Sequence, residues 1–315
     1  MNFSSYSPSC SQLVSSGASS ASVPEWRPNF LTSEMSVALI SLTIVNLLVS
    51  PLTIFPNVLV ILAVKTTPQL RDNYNVLLAC LAGTDIMTGA LGQPLFIAEL
   101  IYRLTGSPAS EFCIIPHTAR GFIRTSLVSA LQYLALISIE RYLSIKFPFK
   151  YHDIVTKRRL IISVVSVWLL VFPTTFFSIY KLDLLHYFYG FVIFLAIFTI
   201  LFCRIASYHE ARTRIAGKFT TLSVKAKFLK EKKAFKTTSF VIGVVLLCNL
   251  PMALFRIISR SHKIPPHVFL ATESFTITLA LCNSVFNPVI YCARSREYRR
   301  AFRRLLRRAN YVQPL

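Results

Sequence analysis

Read as a string of apolar and polar positions, the chain resolves into seven long, mostly uncharged runs separated by short polar pieces. The runs are 35–64, 75–102, 114–139, 160–180, 184–203, 237–255 and 274–293. Each reaches the roughly 20 residues that a helix needs to cross a bilayer's hydrocarbon. Pro51, Pro56, Pro94, Pro173, Pro251 and Pro288 fall inside the runs. They would end a soluble helix, but in a membrane they are tolerated as kinks where neighbours satisfy the freed carbonyls. The pattern predicts an all-α membrane protein: a seven-transmembrane helix bundle over 35–293, entered from a Ser-rich, disordered tail over 1–34. That tail holds no apolar core of signal-peptide length, so the first run is expected to direct insertion.

The final stretch has a different period. Tyr298, Phe302, Leu305, Leu306 and Ala309 fall on one helical face, ringed by Arg296, Arg299, Arg300, Arg303, Arg304, Arg307 and Arg308. This predicts an amphipathic interfacial helix over 294–309 on the anionic inner leaflet, with membrane lipids as its partners. A short cytoplasmic tail, 310–315, follows.

Composition agrees, with 54% hydrophobic and 15% charged residues against about 25% charged in a soluble domain. The net charge of +21 would by itself suit nucleic-acid binding, but its distribution argues otherwise. With the N-terminus outside, 26 of the 34 Lys and Arg lie in the inner segments 65–74, 140–159, 204–236 and 294–315, as the positive-inside rule requires. The charge is a membrane address, and no nucleic acid is expected as partner. Seven cysteines, five of them within apolar runs, exclude a disulfide-stapled secreted domain. Cys10 and Cys113 lie on the outer side and could bridge. Asn2, in Asn2-Phe3-Ser4, is a glycosylation sequon at the extreme terminus.

Chemistry concentrates at three levels. A carboxylate inside a membrane is costly and marks function by default, and run two carries Asp85 in Leu81-Ala82-Gly83-Thr84-Asp85. Run seven carries Asn283-Ser284-Val285-Phe286-Asn287-Pro288-Val289-Ile290-Tyr291, whose polar side chains could face it. Glu140-Arg141-Tyr142 sits at the cytosolic end of run three, where an acid–base pair could also simply mark a helix end.

In these motifs the chain resembles a rhodopsin-like (class A) G-protein-coupled receptor over residues 35 to 309. The resemblance rests on Asn57, the Leu-Ala-x-x-Asp ending at Asp85, Glu140-Arg141-Tyr142, Trp168, Tyr208, Cys248-Asn249-Leu250-Pro251 and Asn287-Pro288-x-x-Tyr291. It implies a plasma-membrane, multi-pass receptor with an extracellular N-terminus, coupling an extracellular ligand to a heterotrimeric G protein. Arg141 would be held by Glu140 and by Glu231, twenty residues before Pro251, until helix six swings out. Arg141, Tyr208 and Tyr291 would then line the cleft, with Phe149 reaching a socket on the G protein. The resemblance also implies an allosteric sodium ion on Asp85, Asn283, Ser284 and Asn287, although Ala130 stands where helix three usually offers a serine. The other reading is that Asp85 is hydrogen-bonded to Asn287 and water. No other cofactor is implied.

Departures narrow the field. Pro116 occupies the place of the helix-three cysteine, the second outer loop is only about 181–183, Ile200 replaces the helix-five proline, and Asn249 and Val245 replace helix-six aromatics. Several of these features are shared with melanocortin receptors and partly with lysophospholipid, cannabinoid and adenosine receptors. Leu281 replaces the lysine an opsin needs for a Schiff base with retinal. Ile123 replaces the helix-three acid of aminergic receptors.

Two readings of the outer charges stand open. Arg120 and Arg124, four apart on one face of run three, and Arg256 could grip an anionic lipid headgroup or an acidic peptide, and a peptide could also engage Glu99 and Glu273. Alternatively the arginines snorkel or pair with Glu99, Glu111, Asp183 or Glu273. Other functional classes compete. A transporter or channel would be expected to show repeats or an ionisable path, and neither is present. No HExxH, nucleophile elbow or metal cluster points to an enzyme. A receptor-like protein without G-protein output is the subtler alternative.

Overall fold

The computed structural model describes residues 32–105, 114–178, 183–216, 222–262 and 264–310, with the side chains of 114–117, 174–187, 189, 213–232, 260 and 308–310 outside the description. Eight helices carry the architecture: α1 Ser33–Thr66, α2 Asn73–Thr105, α3 Ile114–Lys146, α4 Lys157–Ser178, α5 Asp183–Ala216, α6 Leu222–Ser261, α7 Pro266–Arg294 and α8 Arg296–Asn310. Over their described residues α1, α2, α3, α5, α6 and α7 are long and apolar enough to cross a membrane; α4 is 22 residues long and contains Pro173.

Local chemistry sets the starts and bends. Thr32 caps α1, its hydroxyl accepting the Met35 N–H at 3.2 Å, and Asp72 caps α2 by accepting the Asn75 N–H at 3.0 Å, which satisfies amides a helix start leaves bare. Within α2, Thr88–Gly92 widen into a π turn just before Pro94, whose ring would otherwise crowd the carbonyl four residues back. There α1 crosses closely: Ser50 donates to the Gly89 carbonyl at 2.8 Å. A Cβ on Gly89 would stand 2.8 Å from Ile54 Cγ1 and 3.2 Å from the Ser50 carbonyl.

The helices outrun the apolar runs, furthest in α5 and α6. Within the inner segment 204–236, residues 204–216 and 222–236 are helical, and 217–221 lie outside the described residues. Apolar length marks the part of a helix in hydrocarbon, whereas Lys, Arg and Glu are good helix formers in water, so α5 and α6 continue past the bilayer.

Packing is centred on α3, which contacts α2, α4, α5 and α6. A large cluster toward the α8 end gathers Val60, Leu77, Leu81, Tyr133, Leu134 and Ile137, and a smaller one toward the other end holds Leu39, Phe96, Leu100, Ile123, Leu270 and Leu281. Leu169, Leu247 and Ile205, each 70% exposed, mark lipid-facing sides, where apolar exposure carries no penalty. Cys203 and Cys248 are buried and Cys80, Cys282 and Cys292 half-buried, all as free thiols. Cys10 and Cys113 lie outside the described residues.

At the end of α7, Ser295 turns extended (φ −118°, ψ 123°) and α8 leaves the bundle. Arg299 Nη1 donates to the Cys292 and Ala293 carbonyls at 2.8 and 2.9 Å, answering acceptors that a helix C-terminus leaves open. Tyr298 and Ala301 are buried, Phe302 and Leu305 pack beside them, and Arg296, Arg300, Arg303, Arg304 and Arg307 are exposed.

Candidate functional site

Midway through the bundle the polar residues meet around one proline. Pro288 has no N–H, so the Ser284 carbonyl loses its helical donor. Asn57 supplies a replacement: its Nδ2 donates to Ser284 O at 3.1 Å and to Thr53 O at 2.8 Å, tying α1 to α7. One turn away, Asn287 Nδ2 donates to Asp85 Oδ2 at 2.8 Å, tying α7 to α2. Asp85, Asn283, Ser284 and Asn287 are all buried, and the amide oxygens of Asn283 and Asn287 have no partner among the described residues. Buried oxygens of this kind seek a donor, a water or a cation. Ala130, on α3, offers none. Asn249 donates to its own helix at the Val245 carbonyl, 2.7 Å away.

At the end of the bundle that carries α8, Arg141 is 5% exposed. Its guanidinium is forked onto Glu140 and lies 4.3 Å over the Tyr74 ring. Glu140 also accepts from the Tyr151 hydroxyl at 2.5 Å, so the turn Tyr151–Ile154 leans against α3. Burial, then the neighbouring Glu140 carboxylate, pushes the Tyr151 phenol above its ordinary value. Thr238, on α6, donates to the Tyr74 hydroxyl at 3.3 Å. Arginine, tyrosine and threonine thus join α3, α2 and α6 in one buried stack.

Tyr291 is buried with its hydroxyl unpartnered among the described residues, its ring 5.7 Å from that of Tyr298. A cavity of about 70 Å³ opens beside Tyr74, Arg141, Thr237, Tyr291, Arg294 and Tyr298. Tyr208 is 64% exposed, whereas Arg141 and Tyr291 are buried. Phe149 is 85% exposed, Tyr142 is half-buried and accepts from Lys146 Nζ at 2.7 Å, and Pro251 is half-buried within α6. The Glu231 side chain and Asn2 lie outside the described residues, as do residues 179–182 between α4 and α5.

At the opposite end of the bundle four charges from three helices close on one another. Glu99, fully buried, pairs with Arg103 one turn along α2 and with Arg120 of α3 at 3.2 Å; Glu273 of α7 lies 3.2 Å from Arg120 and 3.9 Å from Arg103. The carboxylates and guanidiniums balance. Arg124 is half-buried and engaged, Arg256 is exposed, and Ile123 is buried in the smaller apolar cluster with Leu281.

Some members of these constellations escaped the sequence reading. Arg103 counted only as an outer basic residue, although its i,i+4 spacing from Glu99 is a legible pairing signal. Tyr74 and Thr238 carry no motif. Arg204, counted as an inner basic residue, lies inside the helical α5, donating from Nη1 to Phe235 O and Ser239 Oγ of α6 at 3.0 Å each and lying 4.6 Å over the Phe235 ring.

The geometry finds counterparts among known proteins. The family model described as "7 transmembrane receptor (rhodopsin family)" matches residues 56–184 and 174–291. The chain is 28% identical over 279 residues to the histamine H2 receptor of Rattus norvegicus, covering 81% of this chain and 76% of the relative. It is 27% identical over 294 residues to that of Homo sapiens, covering 84% and 79%, and 25% identical over 303 residues to that of Cavia porcellus, covering 86% and 81%. At such identities the matches speak for the family. They do not select the melanocortin branch that the short second loop and missing helix-five proline resemble.

Proposed function

The chain belongs to the rhodopsin family of seven-transmembrane receptors, and from that premise we propose that it resides in the plasma membrane with its N-terminus outside and couples an extracellular ligand to a heterotrimeric G protein through outward movement of α6. The observation that carries the coupling is the buried Arg141, forked onto Glu140 and stacked on Tyr74, whose hydroxyl meets Thr238 of α6. In this arrangement the arginine is sequestered while α6 is in. Moving α6 outward breaks the Tyr74–Thr238 contact and widens the cavity beside Arg141 and Tyr291. Phe149, 85% exposed, is available to meet the G protein. Such a switch needs the two states to differ by only a few kcal/mol, so that a ligand favouring one can shift the population.

Asp85, Ser284 and the amide oxygens of Asn283 and Asn287 suit a sodium ion, which would stabilise the buried carboxylate when bound. With Ala130 on α3, its oxygens would come from α2 and α7 alone. The relatives' name points to histamine, a small cation. Here the helix-three acid that would receive an ammonium is Ile123, and the nearby outer acids are already paired with arginines. Leu281 leaves retinal without an anchor, and the inner basic residues support the orientation rather than nucleic-acid binding. Glu99 and Glu273 answer Arg120, so a bare anion entering there would strand a buried carboxylate, a costly outcome.

The coupling is tested with purified receptor in lipid nanodiscs and a panel of purified heterotrimers, reading nucleotide exchange on each Gα. Faster exchange on at least one, lost in Arg141→Ala, supports the reading. Rates equal to those of empty nanodiscs across the panel overturn it.

A further inference from the structure

Glu99, Arg103, Arg120 and Glu273 form a closed group whose side chains are 0, 9, 22 and 16% exposed. Their internal pairing leaves a definite remainder. Among the described residues Glu99 Oε2, Arg103 Nη1 and Arg120 Nε are buried without a partner. That remainder is one carboxylate acceptor and two guanidinium donors, and each of the two arginines lies within 4 Å of both Glu99 and Glu273 through its other atoms.

We propose that this cluster is the ligand site of the receptor and that its ligand is a free α-amino acid, with the ammonium on Glu99 and the carboxylate shared by Arg103 and Arg120. The assignment rests on the receptor reading above and names the ligand class for it.

Two requirements select that class. The first is hydrogen bonding: one cationic donor and two anionic oxygens, carried a few ångströms apart, fill the three unmet atoms together. The second is charge. Two acids and two arginines already balance, and in a poorly hydrated site any uncompensated charge is strongly disfavoured. A fatty acid or phosphate would fill the donors, leave Glu99 Oε2 bare and add net negative charge. A simple amine would do the reverse. A zwitterion adds both signs at once and leaves the site neutral. The guanidinium is the group suited to hold a carboxylate in a fixed fork. The partly exposed Arg120 and Glu273 form the rim at which such a molecule arrives.

The test reads binding without a G protein. Purified receptor in nanodiscs of neutral lipid is heated with each L-α-amino acid singly at millimolar concentration, beside its N-acetyl and amide forms. The expected result is a raised unfolding midpoint with at least one free amino acid and with neither blocked form. Arg120→Lys keeps the positive charge but removes the Nε donor and should weaken that affinity about tenfold or more, the size of a lost charge-assisted hydrogen bond. Glu99→Gln, which removes the ammonium's counter-charge, should do the same. No shift with any amino acid, equal shifts with the blocked forms, or wild-type affinity in Arg120→Lys each overturns the proposal. Exchange on a G protein without amino-acid binding sinks this inference and leaves the coupling intact, whereas binding with no exchange on any heterotrimer does the opposite.

Discussion

Replacing Asn57 with alanine isolates the link between α1 and the proline of α7. The substitution removes the donor to the Ser284 carbonyl, 3.1 Å away, and Pro288 cannot supply another. A buried carbonyl left bare costs about 1–3 kcal/mol. Some of this is returned, because Asn57 Oδ1 is itself unpartnered among the described residues and disappears with the side chain. The net loss is then about 1–2 kcal/mol, at the upper end of what interhelical hydrogen bonds contribute inside membranes. The same geometry predicts its own rescue: Pro288→Ala restores an N–H four residues beyond Ser284, so its carbonyl regains a helical donor. In Asn57→Ala/Pro288→Ala the combined loss should fall short of the sum of the single losses by about 1 kcal/mol. Equilibrium unfolding of the four purified proteins in detergent measures the cycle. Additivity within about 0.5 kcal/mol would refute the claim that Asn57 serves the carbonyl freed by Pro288.

Three further expectations follow from named contacts. Tyr74→Phe deletes the hydroxyl that meets Thr238 at 3.3 Å; a neutral hydrogen bond of about 1 kcal/mol corresponds to a roughly fivefold shift toward the open state, read as raised ligand-free nucleotide exchange, and an unchanged rate argues against the stack restraining α6. Gly89→Val presses a side chain onto α1, where Ile54 Cγ1 is 2.8 Å from the added Cβ, and should cost about 1–3 kcal/mol in unfolding measurements; wild-type stability would show that α1 yields freely. Because the folded state raises the Tyr151 phenol above its ordinary 10.0, its contribution is complete below that value and is lost as pH rises beyond it. Wild-type stability should therefore fall more steeply above pH 10.0 than that of Tyr151→Phe, and parallel profiles would contradict the buried contact with Glu140.

Much of the architecture was legible because the bilayer imposes a simple code. Apolar run length marks the spans, and the bias of Lys and Arg toward one side predicts the orientation. The link between Asn57 and Pro288 follows from proline's missing N–H once the two helices are adjacent. Other features resist a one-dimensional reading. The ends of α5 and α6 were hidden because a helix persists in water after its apolar residues stop. Tyr74 and Thr238, 164 residues apart, are ordinary residues until packing stacks one beneath Arg141 and places the other against it. Arg120 and Arg124 share a helical face by spacing, yet Arg120 is the one drawn between Glu99 of α2 and Glu273 of α7, a choice made by packing between helices and not by spacing. Arg204 looks like one more inner charge until the length of α5 places it against the Phe235 carbonyl of α6.

Arg141 joins the fold to its proposed output, and the most direct test is ligand-free cAMP and calcium in cells expressing wild type or Arg141→Ala at matched surface levels. The account predicts a basal shift in one messenger with wild type that Arg141→Ala removes. A basal shift that persists undiminished in Arg141→Ala would contradict it.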